Sequence, residues 1–206
     1  MDINRDSFKN FSLEEAREWG IKQFRTWLPK LQNQDYQPQT PAEEFFRFYT
    51  QGNGDRLNVI PRMYGIENYD FEETFFTREM FVDSIAEINE HRITENIVVY
   101  RYIAKSLVKG MVEWGASRSV KRNAVLVDRG YLSTTLSIEA VRSKRYANVV
   151  DHSLFIIYVP KGTPCVYVDL ISDMHEQEVL FAPGIKLKVL SKHLFGKFVE
   201  CIIIDD

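Results

Sequence analysis

The sequence predicts an α+β fold in which helices come first and strands follow. Three observations point there. The first half carries helix-start signals followed by apolar residues at helical spacing. The second half is a series of β-branched and aromatic runs punctuated by glycine and proline. Neither a Pro/Ser-rich linker nor an internal repeat separates them, so residues 1–206 read as one domain, mainly helical over 1–95 and β-rich over 96–206.

The helical signals begin at Ser12, which with Glu15 spells a capping box. Apolar residues follow at Leu13, Ala16, Gly20–Ile21, Phe24, Trp27–Leu28 and Leu31, with Pro29 expected to kink or end the helix. Thr40, Pro41 and Glu43 form a second start: a cap, a first-turn proline and an acid at the third helical position. Phe45, Phe46, Phe48 and Tyr49 come next, then a polar, glycine-containing break at Gln51–Asp55 and a short helix over Leu57–Tyr64. Thr77 caps a further helix bearing Met80, Phe81, Ile85 and Ile88 on one side. Aromatic stripes of this kind are core-forming rather than cofactor-binding.

The strand signals begin at Ile97–Tyr102. They continue at Ala124–Val127, Tyr131–Leu136, Leu154–Val159, Cys165–Leu170, Glu178–Phe181, Lys186–Leu190 and Phe198–Ile204. Helical stretches interrupt them near Lys105–Trp114 and Ile138–Val149.

Composition excludes several classes. Hydrophobic residues make 45% and charged residues 27%, which argues against disorder, collagen-like repeats and a coiled coil. No apolar run is long enough for a membrane span. The polar stretch Met1–Phe11 has no apolar signal core, so no signal peptide is expected. Cys165 and Cys201 sit in apolar runs and read as buried free thiols. His91, His152, His175 and His193 are far apart, and HExxH, CxxC, GxSxG, Walker and GxGxxG patterns are absent, so no metal is expected.

The formal net charge of −3 hides a split. Residues 1–99 hold 11 basic and 18 acidic groups, whereas residues 100–206 hold 15 and 11. The excess concentrates in Arg101–Arg145, where a phosphate-bearing ligand could be held. Nucleic acid is the rival, but the domain is acidic overall and lacks a binding motif of that kind. The bland alternative is a solvated helical face.

Three motifs carry chemistry. In SDMHEQEVLFAPG (Ser172–Gly184), Glu176 and Glu178 flank one residue where a loop enters a strand, so at strand spacing their side chains point the same way. Paired carboxylates suit cleavage of a glycosidic bond through a cationic, oxocarbenium-like transition state. In IVVYR, Arg101 ends a run whose other members look buried, which calls for a fixed anionic partner. In GYLSTTL, Ser133, Thr134 and Thr135 place hydroxyls within a strand, and alternate hydroxyls can hold a carboxylate on a neighbouring strand. Each has a plain alternative: a solvated strand edge, a structural ion pair, or the β-propensity of threonine.

Their order resembles the R-S-E class of mono-ADP-ribosyltransferases. More closely, the chain is similar to the bacterial ADP-ribosylating exoenzymes: Rho-modifying clostridial enzymes, actin-modifying binary toxins and vegetative insecticidal toxins. EEAREWGIKQFRTWLPKL, FYTQGNGDRLNVIPR, ITENIVVYR, YVPKGTPCVYV and EQEVLFAPGIKLKVL follow in family order, from about Phe11 to the C-terminus. The resemblance implies a mixed β-sandwich ADP-ribosyltransferase core, an NAD-binding β portion over 96–206, and NAD as substrate without a metal.

The same resemblance implies residue roles. Arg101 would anchor NAD phosphate, and the Tyr102 backbone would hold the nicotinamide amide. Asn58 and Arg62 would contact the dinucleotide from the helical portion. Ser133 would orient the catalytic Glu178, with Thr134 and Thr135 keeping the strand geometry. Glu176 stands where glutamate accompanies arginine acceptors. The segment Ser172–His175 lacks the aromatic residue of the toxin relatives, leaving His175 or Met174 for target recognition. Arg142, Arg145 and Tyr146 are candidates for the phosphate–nicotinamide loop.

The implied activity is transfer of ADP-ribose from NAD to an arginine of a target protein such as actin or a small GTPase. The enzyme would be a monomer acting in a host cytosol after delivery, with no room in 206 residues for a delivery domain. The alternatives are an NAD glycohydrolase and a non-catalytic docking domain of a binary toxin.

Overall fold

Ser12 closes both halves of its capping box. Its hydroxyl accepts from Glu15 N–H, and its own N–H donates to the Glu15 carboxylate at 2.9 Å. The helix so started, α1 (Leu13–Phe24), ends before Pro29. The computed structural model describes residues 3–25, 27, 29–33, 35–72, 74–104, 120–143, 152–172, 176–193 and 197–205.

Thr40 and Thr77 cap α2 (Pro41–Phe48) and α4 (Arg78–Glu90) by accepting backbone N–H groups of Glu43 and Met80. The break anticipated at Gln51–Asp55 is present as a kink, with non-helical backbone angles at Gln51 and Gly52. The kinked stretch Tyr49–Asn53 leads into α3 (Gly54–Val59), which begins before Leu57, and a π-type turn covers Ile60–Tyr64. Gly52 makes the kink possible, since its φ of +87° lies where a side chain is disfavoured.

The strands are β1 (Ile97–Ala104), β2 (Val125–Asp128), β3 (Leu132–Thr135), β4 (His152–Val159), β5 (Val166–Tyr167), β6 (Glu178–Phe181), β7 (Ile185–His193) and β8 (Phe198–Ile204). A short helix, α5 (Ile138–Ser143), follows β3. The order across the sheet is β2-β7-β8-β4-β1-β3-β6-β5, with β4–β8 parallel and the other pairs antiparallel. The α+β class and the mixed sheet agree with the sequence. The strand anticipated at Cys165–Leu170 is cut to two residues, because a 3₁₀ turn over Val168–Ile171 carries Asp169 inward. The helix anticipated at Lys105–Trp114 and the end of that at Ile138–Val149 lie outside the described residues.

Two features of the sheet position the site. First, β1 and β3 share a single register pair, Tyr100 with Thr135. The sheet is thus a five-strand and a three-strand group joined at one point. Second, β1 and β4 alternate between two apolar faces. Val98, Tyr100, Leu154 and Tyr158 join a small cluster with Phe8 and Val141. Ile97, Val99, Ile103, Phe155, Ile157 and Val159 join the main core, which the helices complete. Arg101 occupies a position of that second set.

The helical portion is locked to the strands by aromatics. Phe45 packs on Tyr131 at 4.7 Å between centroids and stacks on Tyr49 at 6.0 Å. The Tyr131 hydroxyl and Ser84 Oγ share a buried hydrogen bond of 2.7 Å. The buried indoles of Trp19 and Trp27 donate to Glu95 and Glu87.

Candidate active site

Where β1 and β3 part, a cleft of about 420 Å³ opens. Tyr100–Ala104 of β1 and Ser133–Thr135 of β3 form one side. Tyr49, Gly54, Asp55, Asn58 and Arg62 come from the helical portion, and His152, Val141 and Glu176 complete it. The fold therefore collects Arg101, Tyr102, Asn58, Arg62, Ser133, Thr134 and Glu176 in one place. Arg145 and His175 lie outside the described residues.

Glu178 begins β6, directly opposite Thr135 in the β3–β6 register. Ser133 lies on the same face, one diagonal away. Its hydroxyl donates to Glu178 Oε1. The same oxygen accepts from the Tyr49 hydroxyl at 3.0 Å. The two donors come from opposite sides of the cleft, so the carboxylate is oriented by both halves of the molecule. Burial, then the Glu178 charge, holds the Tyr49 pKa well above its ordinary value, which keeps the phenol a donor.

The other hydroxyls of β3 serve the backbone. Thr134 Oγ1 donates to Val179 O at 3.0 Å, and Thr135 Oγ1 donates to Glu176 O at 2.6 Å. Glu176 precedes the strand, and Gln177 between the two glutamates has φ +56°, so they are not at plain strand spacing. Both are nonetheless partly exposed, while Gln177 is buried.

Arg101 is partly buried and donates through Nη1 to Ser133 O at 2.9 Å. Among the described residues it forms no ion pair. Burial lowers its pKa from the usual arginine value, which the nearby Asp128 charge offsets in part. Of the basic Arg101–Arg145 stretch, Arg101 alone among the described residues lines the cleft.

Asn58 and Arg62 face the cleft but are also committed to the strand side. Asn58 Oδ1 accepts from Tyr131 N–H at 2.6 Å. Arg62 donates from Nε and Nη2 to the two oxygens of Asp128, each at 3.0 Å. Asp128 is buried and also accepts from Gly130 N–H at 2.9 Å. Gly130 is required here: a Cβ would lie 2.5 Å from Asn58 Oδ1 and 2.6 Å from Arg62 Nε.

Sequence reasoning missed three residues of this site. Tyr49 was hidden in an aromatic stripe, Asp128 in a basic stretch, and His152 at the start of a strand. Only Tyr49 had a usable signal, its place in FYTQGN.

The sequence model of the ADP-ribosyltransferase exoenzyme matches residues 16–205. The chain belongs to the ADP-ribosyltransferase exoenzyme family. Several solved structures share its fold. The chain is 18% identical to Plx2a, an ADP-ribosyltransferase toxin from Paenibacillus larvae, covering 95% of this chain and 98% of that one, with a TM-score of 0.69. It is 18% identical to C3stau2 from S. aureus, solved with NAD, covering 97% and 100% with a TM-score of 0.69. It is 15% identical to BECa of a C. perfringens binary enterotoxin, solved with NADH, covering 96% of this chain and 50% of that one, with a TM-score of 0.70. Comparison with the curated proteins gives no match.

Among the described residues no helix is long and apolar enough to cross a membrane, and no group of three or more His, Cys, Asp or Glu is placed to hold a metal.

Proposed function

We propose that the chain is an NAD-dependent mono-ADP-ribosyltransferase that moves ADP-ribose from NAD to an arginine of a target protein. The observation that carries this reading is the Glu178 carboxylate, held at the cleft by Ser133 and Tyr49 beside an arginine that has no ion-pair partner among the described residues. Arg101 suits a phosphate of the dinucleotide. The Tyr102 backbone, Asn58 and Arg62 line the same cleft and are assigned to the dinucleotide as well. The residues outside the description, Arg145 and His175, keep the roles that the resemblance implies, phosphate binding and target recognition. Two structures of similar fold hold NAD or NADH, which supports a dinucleotide here.

The chemistry follows from charge. The bond between C1′ of the nicotinamide ribose and the pyridinium nitrogen breaks, and nicotinamide leaves with the electron pair as a neutral base, so no general acid is needed. Positive charge develops on the ribose, and the Glu178 carboxylate stabilises it through space and by a hydrogen bond to a ribose hydroxyl. An acceptor nitrogen then bonds C1′ and loses a proton. The guanidinium is a poor nucleophile while protonated. Glu176 can orient it bidentately and help remove that proton. The E-x-E arrangement is the support for arginine as acceptor. The family's setting favours action in the cytosol of a target cell, on a protein such as actin or a small GTPase.

Labelled NAD added to cell lysate with the purified chain tests the reading. Labelled protein whose bond is cleaved by neutral hydroxylamine is expected. Labelling that resists hydroxylamine would remove the arginine assignment, and NAD loss without labelling would indicate a glycohydrolase.

A further inference from the structure

The residue between the two glutamates is held unlike an ordinary strand-entry residue. Gln177 has φ +56°, a region that residues with a Cβ adopt at a steric cost, and it is only 5% exposed. Its N–H donates to Asp169 Oδ1 at 2.8 Å, and its side-chain oxygen accepts from the Tyr167 hydroxyl. Its carbonyl accepts from Leu136 N–H at 3.1 Å. Backbone and side chain are thus both tied, although the residue neither lines the cleft nor touches Ser133.

The anchor is itself fixed by the helical portion. Gly20 of α1 lies so close to the Tyr167 ring that a Cβ there would sit 2.3 Å from it. Phe24 stacks on the same Tyr167 ring at 6.4 Å between centroids. Tyr167 and Asp169 come from β5 and the turn after it, the segment where a longer strand was anticipated.

This anchoring bears unequally on the two carboxylates. Glu178 has supports of its own: the β3–β6 pairing, Ser133 and Tyr49. Glu176 lies outside the strand: its carbonyl accepts from Thr135 Oγ1, and its chain neighbour is the fixed turn at Gln177.

We propose that Gln177, clamped by Tyr167 and Asp169, is a positioning residue that aims Glu176 at the acceptor and so sets the partition of ADP-ribose between protein and water. This rests on the reading above, in which Glu178 serves cleavage and Glu176 serves the acceptor. In both branches the bond to nicotinamide breaks with its electron pair leaving on nicotinamide. The branches differ in whether an acceptor nitrogen or a water oxygen forms the new bond and gives up its proton.

The test uses the full chain carrying Gln177→Asn, which tolerates the left-handed backbone but is too short to reach Tyr167. Tyr167→Phe, which removes one hydroxyl, is run in parallel, so the result does not hang on one variant folding. Nicotinamide release without acceptor and labelling of lysate protein are measured side by side. Transfer should fall at least about tenfold while release changes by less than about twofold. Asp169→Ala should show the same split, and Asp169→Asn, which retains an oxygen for the Gln177 N–H, should recover most of the transfer. A proportional fall in both rates, or no fall in transfer, overturns the proposal. Failure of the underlying reading shows elsewhere: Glu178→Gln would then leave nicotinamide release intact.

Discussion

Tyr49 donates its hydroxyl to Glu178 Oε1 across 3.0 Å, joining a turn of the helical portion to the first residue of β6. The contact makes the helical portion part of the site rather than a support beneath it. Tyr49→Phe keeps the ring stacked on Phe45 and deletes one hydrogen bond to a carboxylate, an interaction of about 1.5–3 kcal/mol. The expected outcome is a fall of about 10- to 100-fold in the kcat of nicotinamide release. Because the raised Tyr49 pKa keeps the phenol protonated, this donor should not produce a fall in rate below about pH 10. Steady-state assays across pH check both statements.

Gly130→Ala should loosen the other bridge between helices and strands. The new methyl would press on Asn58 and Arg62, and overpacking of this kind costs about 1–3 kcal/mol. Asp128→Ala should cost more, about 3–5 kcal/mol, because it leaves Arg62 without its partner at a buried site. Denaturant unfolding measures both, and NAD titration should show weaker binding in each.

Acid sensitivity should trace to a site far from the cleft. Burial opposes ionisation of Glu200, but hydrogen bonds from Ser191, Arg5 and Tyr158 and the Arg5 charge outweigh it and bring its pKa down to about 2. A depressed carboxylate pKa stabilises the fold above the unfolded value, and that contribution is lost as pH falls toward the folded one. Glu200→Gln should therefore melt below the wild type at pH 7. The gap should close between about pH 5 and pH 2, as thermal melts would record.

The parts of this molecule legible in its sequence are those set by local chemistry. The caps at Ser12, Thr40 and Thr77 satisfy backbone donors within one turn, so short patterns suffice to find them. Strand β6 has the anticipated limits, because apolar residues follow Glu178 directly and Pro183–Gly184 ends the run. What was not legible depends on distant partners. The break at Gly52 was legible, but not that the kink there turns the chain so that Tyr49, Asn58 and Arg62 all line the cleft. Asp169 looked like a strand residue, but the N–H of Gln177 draws it into a turn. Asp128 counted as one acid in a basic stretch until Arg62, 66 residues earlier, met it. Charge pattern alone does not say which member of that stretch faces the cleft, and Arg101 does so because it falls on the core-facing alternation of β1.

Nicotinamide release by Glu178→Gln tests the central claim most directly. The substitution keeps the shape and an oxygen for Ser133 and Tyr49, but removes the negative charge that is to face the ribosyl cation. A fall of about 10²–10³-fold in kcat with NAD affinity little changed is the predicted result. Release at the wild-type rate would contradict it and would leave the carboxylate held by Ser133 and Tyr49 without a part in the chemistry.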